Sequence, residues 1–204
     1  MFLLIEKGGL MMIPIMVGSI FGFGIVIERL IHLHRSQIDV EKFMSGIRNI
    51  LKKGNVIEAI SICENTPGPV ASLLKEGILK HDRDKKEIKE AIQEARQHEI
   101  PLLERNLNIL KVIAHVEPLL GLLGMVVGFI QCLMRIDQFH KQVYLSNIAG
   151  EMSEALIAMA AGLAVAIPIY VAYHYLVARV RGIGVDMEKA ANQLVKILHN
   201  EDVN

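Results

Sequence analysis

Three long apolar runs without charge constrain this chain more than any other feature. Residues 10–27 carry no charge, and Leu30-Ile31 extend the run. Residues 112–134 are uncharged from Pro118 onward and hold His115 and Glu117 near their start. Residues 155–173 are uncharged, and the apolar character continues past His174 to Ala178. A bilayer core of about 30 Å takes roughly 20 helical residues. Lipid offers no partner to backbone polar groups, so such runs cross as helices. The expected fold is an all-α membrane protein with three transmembrane helices at about 10–31, 112–134 and 155–178. Long helices extend into a cytoplasmic helical region at about 32–111, and a cytoplasmic C-terminal helix covers about 179–200. No linker or low-complexity stretch divides the chain, so residues 1–204 are expected to form one domain.

Composition fits segregated blocks. Hydrophobic residues make up 52% and charged residues 22%, a mixture that suits neither a soluble domain nor a pure membrane bundle. Zero net charge removes the electrostatic reason to expect a nucleic-acid partner. Cys63 and Cys132 fall in different environments, so no disulfide framework is expected. Glu6 and Lys7 precede the first run where a signal peptide would have a basic segment, and Glu28-Arg29 follows it without a small-residue cleavage site; the run reads as a retained anchor.

Basic residues set the orientation. Arg29, His34 and Arg35 follow span one, Arg105 and Lys111 precede span two, and Arg179, Arg181 and Lys189 follow span three. Between spans two and three stand only Arg135 and Lys141, against Asp137 and Glu151. The positive-inside rule then places the N-terminus outside and the long middle segment and C-terminus in the cytoplasm. In that segment Val40, Phe43, Ile47, Ile50 and Leu51 recur at helical spacing. Asn55 is a cap after the Gly54 break, Pro67-Gly68-Pro69 is a turn, and Asp84 with Glu87 has the spacing of a capping box. The helix from Asp84 shows Ile88, Ile92 and Ala95 on one side and is expected to run through Pro101 into span two.

The motifs now become specific. Residues 118–128, Pro-Leu-Leu-Gly-Leu-Leu-Gly-Met-Val-Val-Gly, resemble the span-two signature of the MotA/TolQ/ExbB proton channel family. Residues 154–168, from Glu154 through Gly162 to Pro168, resemble its span-three signature. Gly8-Gly9 and Glu28-Arg29-Leu30 around span one match as well, and the likeness is nearest to the ExbB branch. The resemblance implies a homo-oligomeric ring, most often a pentamer, whose second and third spans line a central pore. A single-span partner like ExbD or TolR stands in that pore, and a TonB-like protein uses the energy. It implies a bacterial inner-membrane stator and channel subunit driven by the proton-motive force, with no enzyme activity and no cofactor. A scaffold ring with no conduction or an altered pathway, and a TolQ-like subunit of a Tol–Pal system, are the alternatives.

From the residues alone, Gly121, Gly124 and Gly128 share one helix face, and Gly162 lies among Ala158, Ala161 and Ala166. Such faces let another backbone approach closely, either between subunits, as we expect here, or within one. Pro118 and Pro168 each free a backbone carbonyl. Glu154 starts span three at the position of the family's pore glutamate; without the resemblance it is a carboxylate at a helix N-terminus. Two departures stand out. Met125 and Met159 occupy positions where the family usually has threonine, and a thioether is only a weak acceptor. They are expected to form an apolar collar facing the partner. Glu117 replaces a residue usually alanine, and it reads either as part of a changed pathway or as a solvated acid near the cytoplasmic end. His115 lies two residues earlier and points to a different helix face. His174 is either a group that titrates near neutral pH or a polar member of the interfacial belt with Tyr170, Tyr173 and Tyr175. The methionines, and His32 with His34, lack metal-ligand spacing.

Overall fold

The computed structural model describes residues 11–35, 38–138 and 145–199, and every regular element in them is helical: α1 (Met12–Arg35), α2 (Val40–Lys52), α3 (Val56–Asn65), α4 (Pro69–Leu79), α5 (Lys85–Glu104), α6 (Leu107–Gln138) and α7 (Leu145–Leu198). The three apolar windows long enough to span a bilayer fall in α1, α6 and α7. Gly8-Gly9 and Lys141 lie outside the described residues. The chain divides into two compact units, one of residues up to 28 with 106–175, the other of residues 29–105 with the chain from 176 onward.

In the first unit the three spans meet through glycines. A Cβ on Gly121 would lie 3.1 Å from the Met159 carbonyl oxygen, and one on Gly124 would lie 3.0 Å from the Ala158 Cβ. At Gly128 the neighbour is the Ala155 Cβ at 2.7 Å. At Gly162 it is the Glu117 carbonyl oxygen at 2.7 Å and the Gly121 Cα at 3.0 Å. Rising numbers on α6 meet falling numbers on α7, so the two run antiparallel with their backbones nearly in contact. In hydrocarbon such approach maximises dispersion contacts, which is the main attraction left between spans. Span one joins on another side: Gly22 faces Ile113 and Ile169, and Gly124 also faces Met11. The expectation that these small-residue faces pack between subunits is therefore corrected, since a span of the same chain occupies them. Pro118 and Pro168 both lie inside their helices. Large apolar side chains including Ile20, Phe21, Leu119, Leu133, Ile167 and Val171 remain exposed, as lipid-facing or subunit-facing surface requires.

The second unit packs the short helices around a buried apolar centre. Asp39 caps α2 by accepting from the Lys42 amide at 3.2 Å, and α2 turns Met44 and Ile47 inward. Gly68 takes φ +127, a conformation open mainly to glycine. Pro69 follows inside the first turn of α4, where its missing N–H costs nothing. Val70, Leu73, Leu74 and Ile78 of α4 are buried, as are Ile88 and Ile92 of α5. The later half of α7 contributes Leu176, Ile183, Met187, Ala190 and Leu194. A Cβ on Gly77 would meet both Leu194 and Ile92, so α4, α5 and the end of α7 share this core.

Four local expectations are revised. Asp84 occupies the N-cap position of α5 without a capping hydrogen bond from its side chain. Asn55 likewise makes no side-chain cap, its amide donating to Glu58 at 3.0 Å instead. The helix from Asp84 passes Pro101 but ends at Glu104; Arg105 leaves helical geometry and Asn106 adopts φ +63. Asparagine tolerates the left-handed region better than most residues, and the break separates α5 from span two. Span three and the C-terminal helix, expected as two elements, are one helix of 54 residues.

Candidate ion pathway

Each proposed pathway residue sits on α6 or α7, and the two helices present them differently. Glu154 lies in the N-terminal part of α7 and is exposed within the chain. Met125 on α6 and Met159 on α7 are both half-buried. The Met159 backbone backs onto Gly121, which brings the two substituted positions to neighbouring levels on antiparallel helices.

Toward the other end, histidines and tyrosines gather across the two spans. The His115 Nδ1 lies 2.7 Å from the Lys111 carbonyl oxygen, the ring nitrogen donating in that tautomer. The His115 ring stands edge-on to Tyr170 with centroids 6.0 Å apart, and Tyr170 stands 4.5 Å from His174. Tyr173 also stands edge-on to His174, with centroids 5.2 Å apart. His115, Tyr170 and His174 are all exposed within the chain. Spacing alone did not bring His115 and His174 together; the aromatic bridge through Tyr170 follows from the pairing of α6 with α7.

Glu117 differs from its expected placement. It is only 2% exposed, so it is not a solvated interfacial acid. Its backbone carbonyl lies against Gly162 of α7, and its side chain turns to α1, where a Cβ on Gly18 would collide with Oε1. The carboxyl therefore fills the notch that Gly18 leaves, and Oε2 is buried without a hydrogen-bond partner. The sequence signal was the glutamate at a usual alanine position; the signal that could have paired it was a glycine in the middle of span one. His115, two residues earlier, points elsewhere, as expected. Among the described residues, no group of three or more histidine, cysteine or acidic side chains converges as metal ligands would.

Three apolar helices long enough to cross a membrane, joined by glycine seams, define a polytopic all-α membrane protein. The profile of the MotA/TolQ/ExbB proton channel family matches residues 65–189, and this chain belongs to that family. It is similar to the biopolymer transport protein ExbB of Neisseria meningitidis serogroup A, at 27% identity over 93% of this chain and 94% of the relative. It is similar to an ExbB-like biopolymer transport protein of Synechocystis, at 26% over 78% of this chain and 77% of that one. It is also similar to the Tol-Pal system protein TolQ of Haemophilus influenzae, at 37% over 54% of this chain and 48% of TolQ.

Proposed function

We propose that this chain is the stator and channel-wall subunit of an inner-membrane complex driven by the proton-motive force. In this reading copies of it form a ring, most simply a pentamer, around a single-span partner like ExbD or TolR, and the complex energises a TonB-like protein. The observation that carries the reading is Glu154: an exposed carboxylate at the outer start of span three, within the stretch that resembles the family's span-three signature. An ionisable group at such a position is a functional candidate by default. Likeness to an ExbB along nearly the whole of both chains favours the TonB-linked branch, whereas the likeness to TolQ reaches only half of each chain. The basic residues flanking α1 and α7 favour a periplasmic N-terminus and a cytoplasmic C-terminus.

The chain's contribution is positional and electrostatic. The α6–α7 seam holds two helices rigidly side by side, Glu154 holds or passes protons at its outer end, and His115, Tyr170 and His174 form a polar exit at the other. Half-buried Met125 and Met159 lie between, where an apolar collar excludes water and slows leak. The decisive experiment is Glu154→Gln, which keeps the size and removes the charge. Energy-dependent uptake in cells relying on this subunit should stop while the oligomer still assembles on native gels. Normal uptake with normal assembly would reduce Glu154 to a residue that merely begins a helix.

A further inference from the structure

Among the described residues, Glu117 is an ionisable side chain buried where the three spans pack, and its surroundings are apolar. From α1 no titratable residue lies between Met12 and Ile27, and from α7 none lies between Ala155 and Ile169. On α6 itself the nearest titratable residues are His115, exposed on another face, Lys111, exposed and less than two turns earlier, and Cys132, four turns on. The nearest ionisable groups along the partner helices are Glu28 on α1, and Glu154 and Tyr170 on α7.

Two registers fix the depth of the carboxyl. Glu28 accepts from the Asn106 amide at 3.2 Å, which marks a common polar level where α1 leaves and α6 enters the apolar zone. Gly18, which receives the carboxyl, lies ten residues before Glu28, about 15 Å along the helix. Glu117 lies eleven residues beyond Asn106, about 16 Å along the helix. The α1 measure places it near the middle of a core about 30 Å thick, whereas on α6 it lies six residues, about 9 Å, beyond exposed Lys111, so the carboxyl stands inside the apolar zone toward its Lys111 side. The burial comes from this chain alone, so adding further subunits cannot expose it.

We propose that Glu117 is a proton-binding site inside each subunit, occupied by a proton while α1 and α6 are packed, and separate from Glu154. An ionised carboxylate buried in apolar surroundings without a partner is neutralised rather than left charged. Once protonated, the carboxyl carries no charge and becomes a donor as well as an acceptor. Gly18 makes the site, because any side chain there would push the carboxyl out of the notch. Release of the proton then requires water in the seam between spans one and two, so proton exchange reports the opening of that seam. The inference rests on the membrane placement in the proposed function and on neither the partner protein nor Glu154.

Infrared difference spectroscopy of the purified oligomer in lipid nanodiscs tests this. At neutral pH the parent should show the carbonyl-stretch band of a protonated carboxyl, shifting only slowly in heavy water. Glu117→Gln should abolish the band, Glu154→Gln should leave it, and Gly18→Ala should speed the isotope shift or remove the band. Should Glu117→Gln not fold, Glu117→Asp keeps an acid at the position and should move the band. No band in the parent, a band that survives unchanged in these Glu117 variants, or a band lost in Glu154→Gln overturns the proposal. Loss of the uptake argument at Glu154 would leave the band untouched, so the two ideas fail separately.

Discussion

Replacing Gly162 with alanine probes the contact on which the α6–α7 seam depends. The new Cβ would lie 2.7 Å from the Glu117 carbonyl oxygen and 3.0 Å from the Gly121 Cα. Ordinary contacts begin near 3.4 Å, so the helices must part by about 0.7 Å. Both obstacles are backbone and cannot rotate aside. A radial gap of about 0.5–1 Å forfeits roughly a quarter to a half of each neighbouring contact's attraction, and the loss extends to Gly121, Gly124 and Gly128 along the seam. Overpacking of this kind costs about 1–3 kcal/mol, against a helix-propensity gain for alanine over glycine of about 1 kcal/mol in water. The expected result is a net loss of up to about 2 kcal/mol, read as an earlier midpoint in reversible unfolding by SDS in mixed micelles. Gly46 on α2 is the matched control, because a Cβ there meets nothing within 4 Å. Gly46→Ala should raise stability by up to about 1 kcal/mol through propensity alone. A Gly162→Ala protein as stable as the parent would refute the seam as a determinant of packing.

Further outcomes follow from the second unit and from topology. Cys63 is buried at 3% exposure, and burial pushes its thiol up to about 11. The thiolate is the reactive form, so maleimide labelling at Cys63 should be slow at neutral pH and quicken only as the pH climbs toward that value; rapid labelling at pH 7 in the folded protein would contradict the buried placement. In a background without Cys63 and Cys132, Lys86→Cys should react with an impermeant thiol reagent only from the cytoplasmic side, and reaction from outside intact cells would reverse the topology.

Local chemistry made much of this protein legible before any fold was known. Freedom from charge over the length of a bilayer identified three spans, because hydrocarbon tolerates neither open backbone nor unpaired charge. Gly68 and Pro69 marked the turn before α4 because glycine opens backbone conformations closed to other residues and proline fixes its own φ. The family likeness rested on contiguous motifs, which need no tertiary information. What sequence spacing left undecided was which faces meet. Glycines at 121, 124, 128 and 162 permit close approach but do not name the partner; only the packed structure assigned them to one another within the chain. Glu117 was ambiguous for the same reason: its helix position offers several neighbours, and the choice of Gly18 depends on the antiparallel register of α1 against α6. The break at Asn106 was hidden because the chain around it is helical in pattern, and the proline nearby drew attention to a place where the helix continues. Helical periodicity is written locally, whereas the pairing of helix faces is a contest among distant surfaces that only the packed structure decides.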